Sequence, residues 1–338
     1  MKTKIAHHRA GKSLSAGSIA ALVALSVATS ATITCTTAQA QAWPSKTVRI
    51  IVPTTAGGTT DAVARSVANE LSARIGQPVV IDNRPGAGAQ IGIDATIKSA
   101  PDGYTLLVSS NSILPVLKKV PPYDPAKDLT PVTMIAISPI VYVVNSKYPP
   151  STLAEFLATA KARPEGVRYG SAGLGSALHL SVEMLSAVTG IQMLHVPYKG
   201  GTPMMTAIVA GDIEMVPTSP DFARRYMDSK QLKSLAQTGK TRQALLPEVP
   251  TTTELGIPEV DVLSWFAMFA PAKLPADIAN RLAAEIAVVV DMPAVKQRIA
   301  VVGADPSPMT PAAFTRYVDE ENRKWAKIVR SAKVPLQD

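Results

Sequence analysis

From residue 43 onward the chain repeats one pattern: a short apolar run, a turn of small or hydroxylated residues, then a stretch with helical periodicity. Val48-Arg49-Ile50-Ile51-Val52 reads as a buried strand, with Pro53 to Gly58 as the turn after it. Val63, Val67 and Leu71 then recur at i, i+4 and i+8, on one face of a helix. Gly76 and Pro78 end that helix, and Val79-Val80-Ile81 opens a second strand. Tyr104-Thr105-Leu106-Leu107-Val108 forms a third after the turn Pro101-Asp102-Gly103. Alternation of this kind predicts an α/β fold: a parallel sheet with helices on both faces.

At Lys147-Tyr148-Pro149-Pro150 the pattern restarts. Thr152 and Glu155 have capping-box spacing and open a helix that ends by Pro164-Glu165-Gly166. Val167-Arg168-Tyr169 is a strand, Ala177 to Val188 a helix stopped by Gly190, and Met193-Leu194-His195-Val196 another strand. Thr202 reads as an N-cap with Pro203 at the first helical position, and Gly211 closes that helix. Ile213 to Val216 and Leu232 to Ala236 complete the second set of strands. The apolar run from Val262 to Ala270 then returns to the first set, and three helices finish the chain. The last starts at Thr310-Pro311 and carries Phe314, Val318, Trp325 and Ile328 on one stripe. The expected division is lobe I, residues 43–145 plus 266–338, and lobe II, residues 146–265. Two crossing strands make a hinge, which suits a clamp closing on a ligand. Tyr198 and Trp265 read as core or hinge packing.

Residues 1–40 read as a signal peptide. Lys2, Lys4, Arg9 and Lys12 form a basic segment, small and apolar residues follow from Leu14 to Ile33, and Ala38-Gln39-Ala40 matches a cleavage site. Cleavage after Ala40 would deliver about 298 residues to the periplasm, more than one ordinary core accommodates. The only cysteine, Cys35, lies in the leader, where a lipidation pattern is missing. The mature chain therefore has no thiol for catalysis, disulfides or metal ligation. Losing the four basic leader residues takes the net charge from +8 to about +4. That excess is spread along the chain, which argues against nucleic acid as a partner. No apolar run in the mature chain approaches membrane-spanning length, so a soluble product, expected as a monomer, is predicted.

Three strand ends share one chemistry of small residues, hydroxyls and a helix start. They are Thr54 to Asp61, Ser109-Ser110-Asn111-Ser112, and Gly170 to Ser176. Ligands on parallel sheets sit beyond the carboxyl ends of the strands, where helix N-termini offer unpaired N–H groups and partial positive charge. Gly57 and Gly58 fit a turn that needs φ > 0 or close approach of an oxyanion to the backbone. Catalytic patterns fail. Gly86-Ala87-Gly88-Ala89-Gln90-Ile91-Gly92 is one residue out of register for a dinucleotide fingerprint, and Gly239-Lys240-Thr241 has Ser234 where a phosphate-binding loop needs glycine. Gly170-Ser171-Ala172-Gly173 lacks the spacer of a nucleophile elbow. His179 and Glu183 share a helix face without a third ligand, so His179 is read as packing or capping locally and Asp61 as a helix-dipole partner. No enzyme, metal or cofactor is expected.

Several segments resemble the Bug family, the substrate-binding receptors of tripartite tricarboxylate transporters. Trp43-Pro44 and Ala56-Gly57-Gly58-x-x-Asp61-x-x-Ala64-Arg65 come first, followed by Asn83-Arg84-Pro85-Gly86-Ala87-Gly88 and Pro101-Asp102-Gly103-Tyr104-Thr105-Leu106. Tyr169-Gly170-Ser171-Ala172-Gly173-x-Gly175-Ser176-x-x-His179-Leu180 and His195-Val196-Pro197-Tyr198-Lys199-Gly200 follow, then Leu246-Pro247-x-Val249-Pro250-Thr251 and Glu321-x-x-x-Trp325. They run in family order over nearly all of residues 43 to 330. The resemblance implies a type II periplasmic-binding-protein fold: two α/β lobes, a two-strand hinge and a ligand cleft between them. It implies a small carboxylate ligand held by backbone amides, hydroxyls and waters. It also implies an inner-membrane permease pair as partner, or in some members a signalling protein such as a sensor kinase.

Two departures from the family pattern bear on the ligand. Thr54 stands where many members have an apolar residue, often Phe, and Thr218 stands where many carry an Asp able to meet an ammonium group. The second argues against amino acids and favours di- or tricarboxylates, aromatic ones included. The candidate ligand-binding set is Thr54, Thr55, Ala56, Gly57, Gly58 and Thr59, then Ser110 and Asn111, then Ser171, Ala172, Gly173 and Ser176, with Thr218. A transport receptor is the leading reading, and a sensor feeding a two-component system is the alternative, separable by the neighbouring genes.

Overall fold

The computed structural model describes residues 43–163, 165–198, 200–331 and 334–336. The expected signal peptide lies outside them. Two sheets organise the chain. The first has six strands in the order β11 (Asp305–Pro306), β4 (Leu129–Pro139), β10 (Leu263–Pro271), β3 (Thr105–Ser110), β1 (Val48–Val52) and β2 (Val79–Asn83). The second has five in the order β7 (Met193–Pro197), β6 (Val167–Ser171), β8 (Met215–Thr218), β5 (Val141–Asn145) and β9 (Leu232–Gln237).

Strand β1 (Val48–Val52) lies between β2 (Val79–Asn83) and β3 (Thr105–Ser110), parallel to both. Its apolar run is buried because helices cover both faces. The first, α1 (Thr59–Ile75), buries Val63, Val67 and Leu71 and stops at Gly76, whose φ of 71° lets it close the helix in the left-handed region. A single turn at Ala87–Ala89 leads into α2 (Gln90–Ile97). The Gly86–Gly92 run is structural here. A Cβ on Gly92 would lie 2.8 Å from the Pro53 side chain, so glycine permits α2 to pack on the end of β1.

Antiparallel strands complete the first sheet: β4 (Leu129–Pro139) against β10 (Leu263–Pro271), with β10 against β3 and the short β11 (Asp305–Pro306) against β4. The second sheet holds β5 (Val141–Asn145), β6 (Val167–Ser171), β7 (Met193–Pro197), β8 (Met215–Thr218) and β9 (Leu232–Gln237). Between them run α3 (Leu153–Lys161), α4 (Ala177–Thr189), α5 (Gly201–Ala210) and α6 (Pro220–Asp228). Thr152 caps α3 as its spacing suggests, with the Glu155 amide donating to Thr152 Oγ1 at 3.2 Å, while Glu155 Oε2 reaches one residue further and accepts from the Ser151 amide at 2.7 Å.

The first crossing comes earlier than the restart at Lys147 suggests. Val141–Asn145 pairs with β8 and β9, so a single residue, Ile140, joins the sheets and the strand before the restart already belongs to the second. The return also comes early, since β10 begins at Leu263. At the hinge the Thr238 amide donates to Ile140 O at 2.8 Å, Thr238 Oγ1 accepts from the Ile140 amide at 2.9 Å, and the same hydroxyl donates to Val262 O. One buried hydroxyl thus ties both crossings together.

The closing helices are α7 (Ala276–Asp291), α8 (Pro293–Val301) and α9 (Pro311–Ser331). The stripe on α9 packs on β4 and on α4, so one apolar cluster containing Trp265, Phe314 and Trp325 continues into Tyr142, Tyr169 and Leu180 of the second lobe. Trp265 is core, as its neighbours require, and its indole shares buried Glu321 with Trp325 at 3.2 and 2.8 Å.

Candidate ligand-binding site

The carboxyl ends of strands from both sheets open into one cavity of about 510 Å³. A second depression of about 560 Å³, on α7 and α8 beside Pro306 and Pro308, gathers no charged side chains beyond the Asp291–Lys296 ion pair.

On the first lobe, the turn after β1 is wired before any ligand arrives. Asp61 Oδ2 accepts from the Gly57 amide at 2.9 Å, Arg65 Nε donates to both carboxylate oxygens at 3.1 and 2.9 Å, and Asn83 Nδ2 donates to Asp61 Oδ1 at 2.9 Å and Thr54 O at 3.1 Å. Burial alone would raise the Asp61 pKa, but these donors outweigh it and hold the carboxyl below its ordinary value. Gly57 takes φ +83°, the left-handed region, whereas Gly58 is extended and serves as the N-cap. A glycine N-cap has no side-chain acceptor. The Thr59 and Thr60 amides therefore have no partner among the described residues, at the positive end of a 17-residue helix facing the cavity.

Of the expected set, Thr54, Thr55, Ala56, Gly57, Gly58, Thr59, Ser110, Asn111, Ala172, Ser176 and Thr218 line the cavity. Asn111 is committed to the frame: its Nδ2 donates to Leu263 O at 3.2 Å and its Oδ1 accepts from the Trp265 amide at 2.9 Å. Thr218 is 3% exposed and its hydroxyl has no partner among the described residues.

Ser171 and Gly173 do not line the cavity. Ser171 is fully buried, with its hydroxyl 2.6 Å from His195 Nε2 and 3.1 Å from Gly173 O. The β6–β7 register opposes Tyr169 with His195 and so turns the Ser171 hydroxyl inward, where it braces the turn from beneath. The next helix, α4, is capped by Ser176, whose Oγ accepts from the His179 amide at 3.2 Å. His179 accepts at Nδ1 from the Gly175 amide at 3.1 Å and stacks on His195 with centroids 4.0 Å apart. Burial pushes His179 down to about 3, helped by the neighbouring His195, and burial pushes His195 down to about 4. Both rings are neutral at ordinary pH. Glu183 accepts from the Tyr169 hydroxyl, and burial pushes its carboxyl upward.

The sequence reading missed the N-terminus of α5. That helix begins at Gly201, ahead of the Thr202 cap expected from Pro203, and Gly200, Gly201, Thr202 and Met204 all line the cavity. Its N-cap, Gly200, also lacks a side-chain acceptor, and the Gly201 and Thr202 amides have no partner among the described residues. The run Gly200-Gly201-Thr202 repeats the small-residue and hydroxyl chemistry of the first turn, a signal that would have found it. Ser138, Ser264 and Phe266 from the first sheet, and Leu178 and Phe222 from the second lobe, complete the walls and had no sequence signal. Among the described residues no charged side chain lines the cavity, and no group of His, Cys, Asp or Glu could hold a metal ion.

Two α/β lobes joined by a double crossing, with a cleft fed by strand ends, define a solute-binding protein of the type II periplasmic-binding-protein fold. The family model for the tripartite tricarboxylate transporter family receptor matches residues 63–334, and the chain belongs to that family. BugT of Bordetella pertussis is 38% identical over 307 residues, covering 88% of this chain and 93% of BugT. An R. palustris protein solved with adipate has a TM-score of 0.79 at 33% identity, over 86% of this chain and 98% of that chain. MatC from Rhodopseudomonas palustris, solved with bound malate, has a TM-score of 0.75 at 30% identity, over 85% and 100% of the two chains. Family and fold are those of solute-binding proteins of the periplasm rather than of enzymes. No described helix is long and apolar enough to cross a membrane.

Proposed function

We propose that this receptor captures a small carboxylate between its lobes in the periplasm, after cleavage of the leader at Ala40, and delivers it to the permease subunits of a tripartite tricarboxylate transporter. The observation that carries the reading is the pair of helices, α1 and α5, that start on glycine and open unpartnered amides into one cavity from opposite lobes. Such N-termini favour anions without needing a cationic side chain. Hydroxyls of Thr54, Thr59 and Thr60, and of Thr218 across the cleft, supply further donors. Relatives solved with adipate and malate support the same ligand chemistry. Closure about Ile140 and Thr238 brings the two walls together on the ligand, with residues 43–139 and 263–336 moving against residues 141–237.

The test is a thermal-shift panel of mono-, di- and tricarboxylates on the mature protein. A ligand present at about 100 times its dissociation constant adds about 2.7 kcal/mol of stability. A panel with no shift, together with no carboxylate co-purifying in native mass spectrometry, refutes the reading.

A further inference from the structure

The two walls of the cleft differ in kind. On the first lobe the lining is hydroxyl and amide, from Thr54 to Thr60 and from Ser110 to Ser112. On the second, the half-buried Leu178 and Phe222 present apolar side chains to the cavity and pack on the core cluster that holds Met204, itself 1% exposed. Phe266, which stands opposite Ser110 in the sheet, is 5% exposed in the core of the first lobe and borders the first wall beside those hydroxyls. Beside that patch the Gly201 and Thr202 amides and the Thr218 hydroxyl stay open among the described residues, whereas the two serine hydroxyls of this wall are occupied. The Ser219 hydroxyl bonds Asp221, and the Ser176 hydroxyl donates to Gly173 O at 2.8 Å while capping α4.

We infer that the preferred ligand is an aromatic carboxylate carrying no amino group, its ring set among Met204, Phe222 and Phe266 and its carboxylate on the N-terminus of α1. This rests on the reading of the cleft as a carboxylate site and sharpens it. A thioether and two phenyl rings favour an aromatic body, because sulfur–aromatic and ring–ring contacts add to area burial. An ammonium group would lose its water in a cleft that offers no carboxylate among the described residues, and an unpaired buried charge is strongly disfavoured. Thr218, buried and unpartnered, meets a polar substituent at the far end of the ring.

The experiment is calorimetric titration of the mature protein with phenylpropanoate, phenylalanine and adipate. Phenylpropanoate and phenylalanine share a skeleton and differ by the ammonium group. Phenylpropanoate should bind at least about tenfold tighter than adipate and about a hundredfold tighter than phenylalanine, each tenfold step being about 1.4 kcal/mol. Phe222→Ala should cost phenylpropanoate about tenfold and adipate less than about threefold, with Phe222→Leu, which keeps the bulk and loses the ring, in between. Adipate binding as tightly as phenylpropanoate overturns the aromatic assignment and leaves the carboxylate reading intact. Phenylalanine binding as tightly overturns the exclusion of amino groups. If none of the carboxylates in the wider panel binds, the carboxylate reading itself fails and this inference with it.

Discussion

Replacing Thr238 with valine should destabilise the protein more than any other change of a single hydroxyl described here. Thr238 is fully buried where the chain passes between the lobes in both directions. Its hydroxyl accepts from the Ile140 amide at 2.9 Å and donates to Val262 O. Valine has nearly the same shape, so packing is kept and no cavity opens. What remains is one amide on the first crossing and one carbonyl on the second, both buried and without their partner. Each such orphan costs about 1–3 kcal/mol, so about 2–6 kcal/mol is expected for Thr238→Val. Against a usual total of about 5–15 kcal/mol, that is a large fraction. Urea unfolding followed by far-ultraviolet circular dichroism reads the loss as a lower midpoint at unchanged slope. Thr238→Ser supplies the control: it keeps the hydroxyl and loses one methyl, which costs about 1 kcal/mol. A Thr238→Val protein within about 0.5 kcal/mol of the parent, or a Thr238→Ser protein less stable than Thr238→Val, would refute the two-crossing account of this hydroxyl.

Three further outcomes are expected. Gly57→Ala forces a side chain into φ +83° where space is open, so it should cost about 1–2 kcal/mol by conformation alone, and Gly57→Asn should recover part of that; equal melting temperatures for the parent and Gly57→Ala would contradict it. Ser171→Ala should lower stability by about 1–2 kcal/mol while changing carboxylate affinity less than about threefold; a large affinity loss at unchanged stability would return Ser171 to the ligand. The histidine pair should make the fold acid-sensitive. The unfolded chain takes up protons near 6.5, whereas the folded chain resists them down to about 3 at His179 and about 4 at His195. Stability is therefore complete above pH 6.5 and falls as pH drops toward those values, at about 1.4 kcal/mol per pH unit for buried His179 and less for the partly exposed His195. Glu183, pushed upward, works with the opposite sign at the acid end. Melting curves at about pH 7.5 and about pH 5 should separate for the parent and separate less for His179→Gln, which keeps an acceptor for Gly175 and cannot titrate, the remainder belonging to His195. Equal separation in both proteins would place the sensitivity elsewhere.

The alternation of strands and helices was legible because each element has a local cause. The run Val48 to Val52 can only be a strand buried on both faces, and Val63, Val67 and Leu71 share one face of a helix. Strand β4 escaped such reasoning. It carries Pro131 and Pro139, residues that usually demote a strand, and is tolerated where Pro131 opposes Phe269 at a shift in register. The crossing at Ile140 was hidden for another reason: apolar residues flank it on both sides, and nothing local marks where one sheet ends. The turn residues of the site were legible from their chemistry, but the direction of a hydroxyl is set by tertiary neighbours. Ser171 looks like Thr59 in sequence; His195, which lies 24 residues away, turns it inward.

Strand-end turns followed by helices occur four times around this cavity, and what distinguishes them is whether the helix carries its own acceptor. Ser176 caps α4, and on α6 Pro220 removes one amide while the first-turn Asp221, held by the Ser219 hydroxyl, already places a carboxylate there. The helices α1 and α5 begin on glycine and leave that place open. Asp61 in the first turn of α1 would repel an incoming anion if its charge were free. Instead Arg65 grips both of its oxygens, and Gly57 and Asn83 take the rest of its accepting capacity, so the carboxylate holds the turn in shape without opposing the ligand. A receptor built this way attracts a carboxylate through backbone geometry fixed by a neutralised network. Its side chains then remain available to discriminate what the carboxylate is attached to, and in this chain they include the apolar Leu178, Met204, Phe222 and Phe266 together with the open hydroxyl of Thr218.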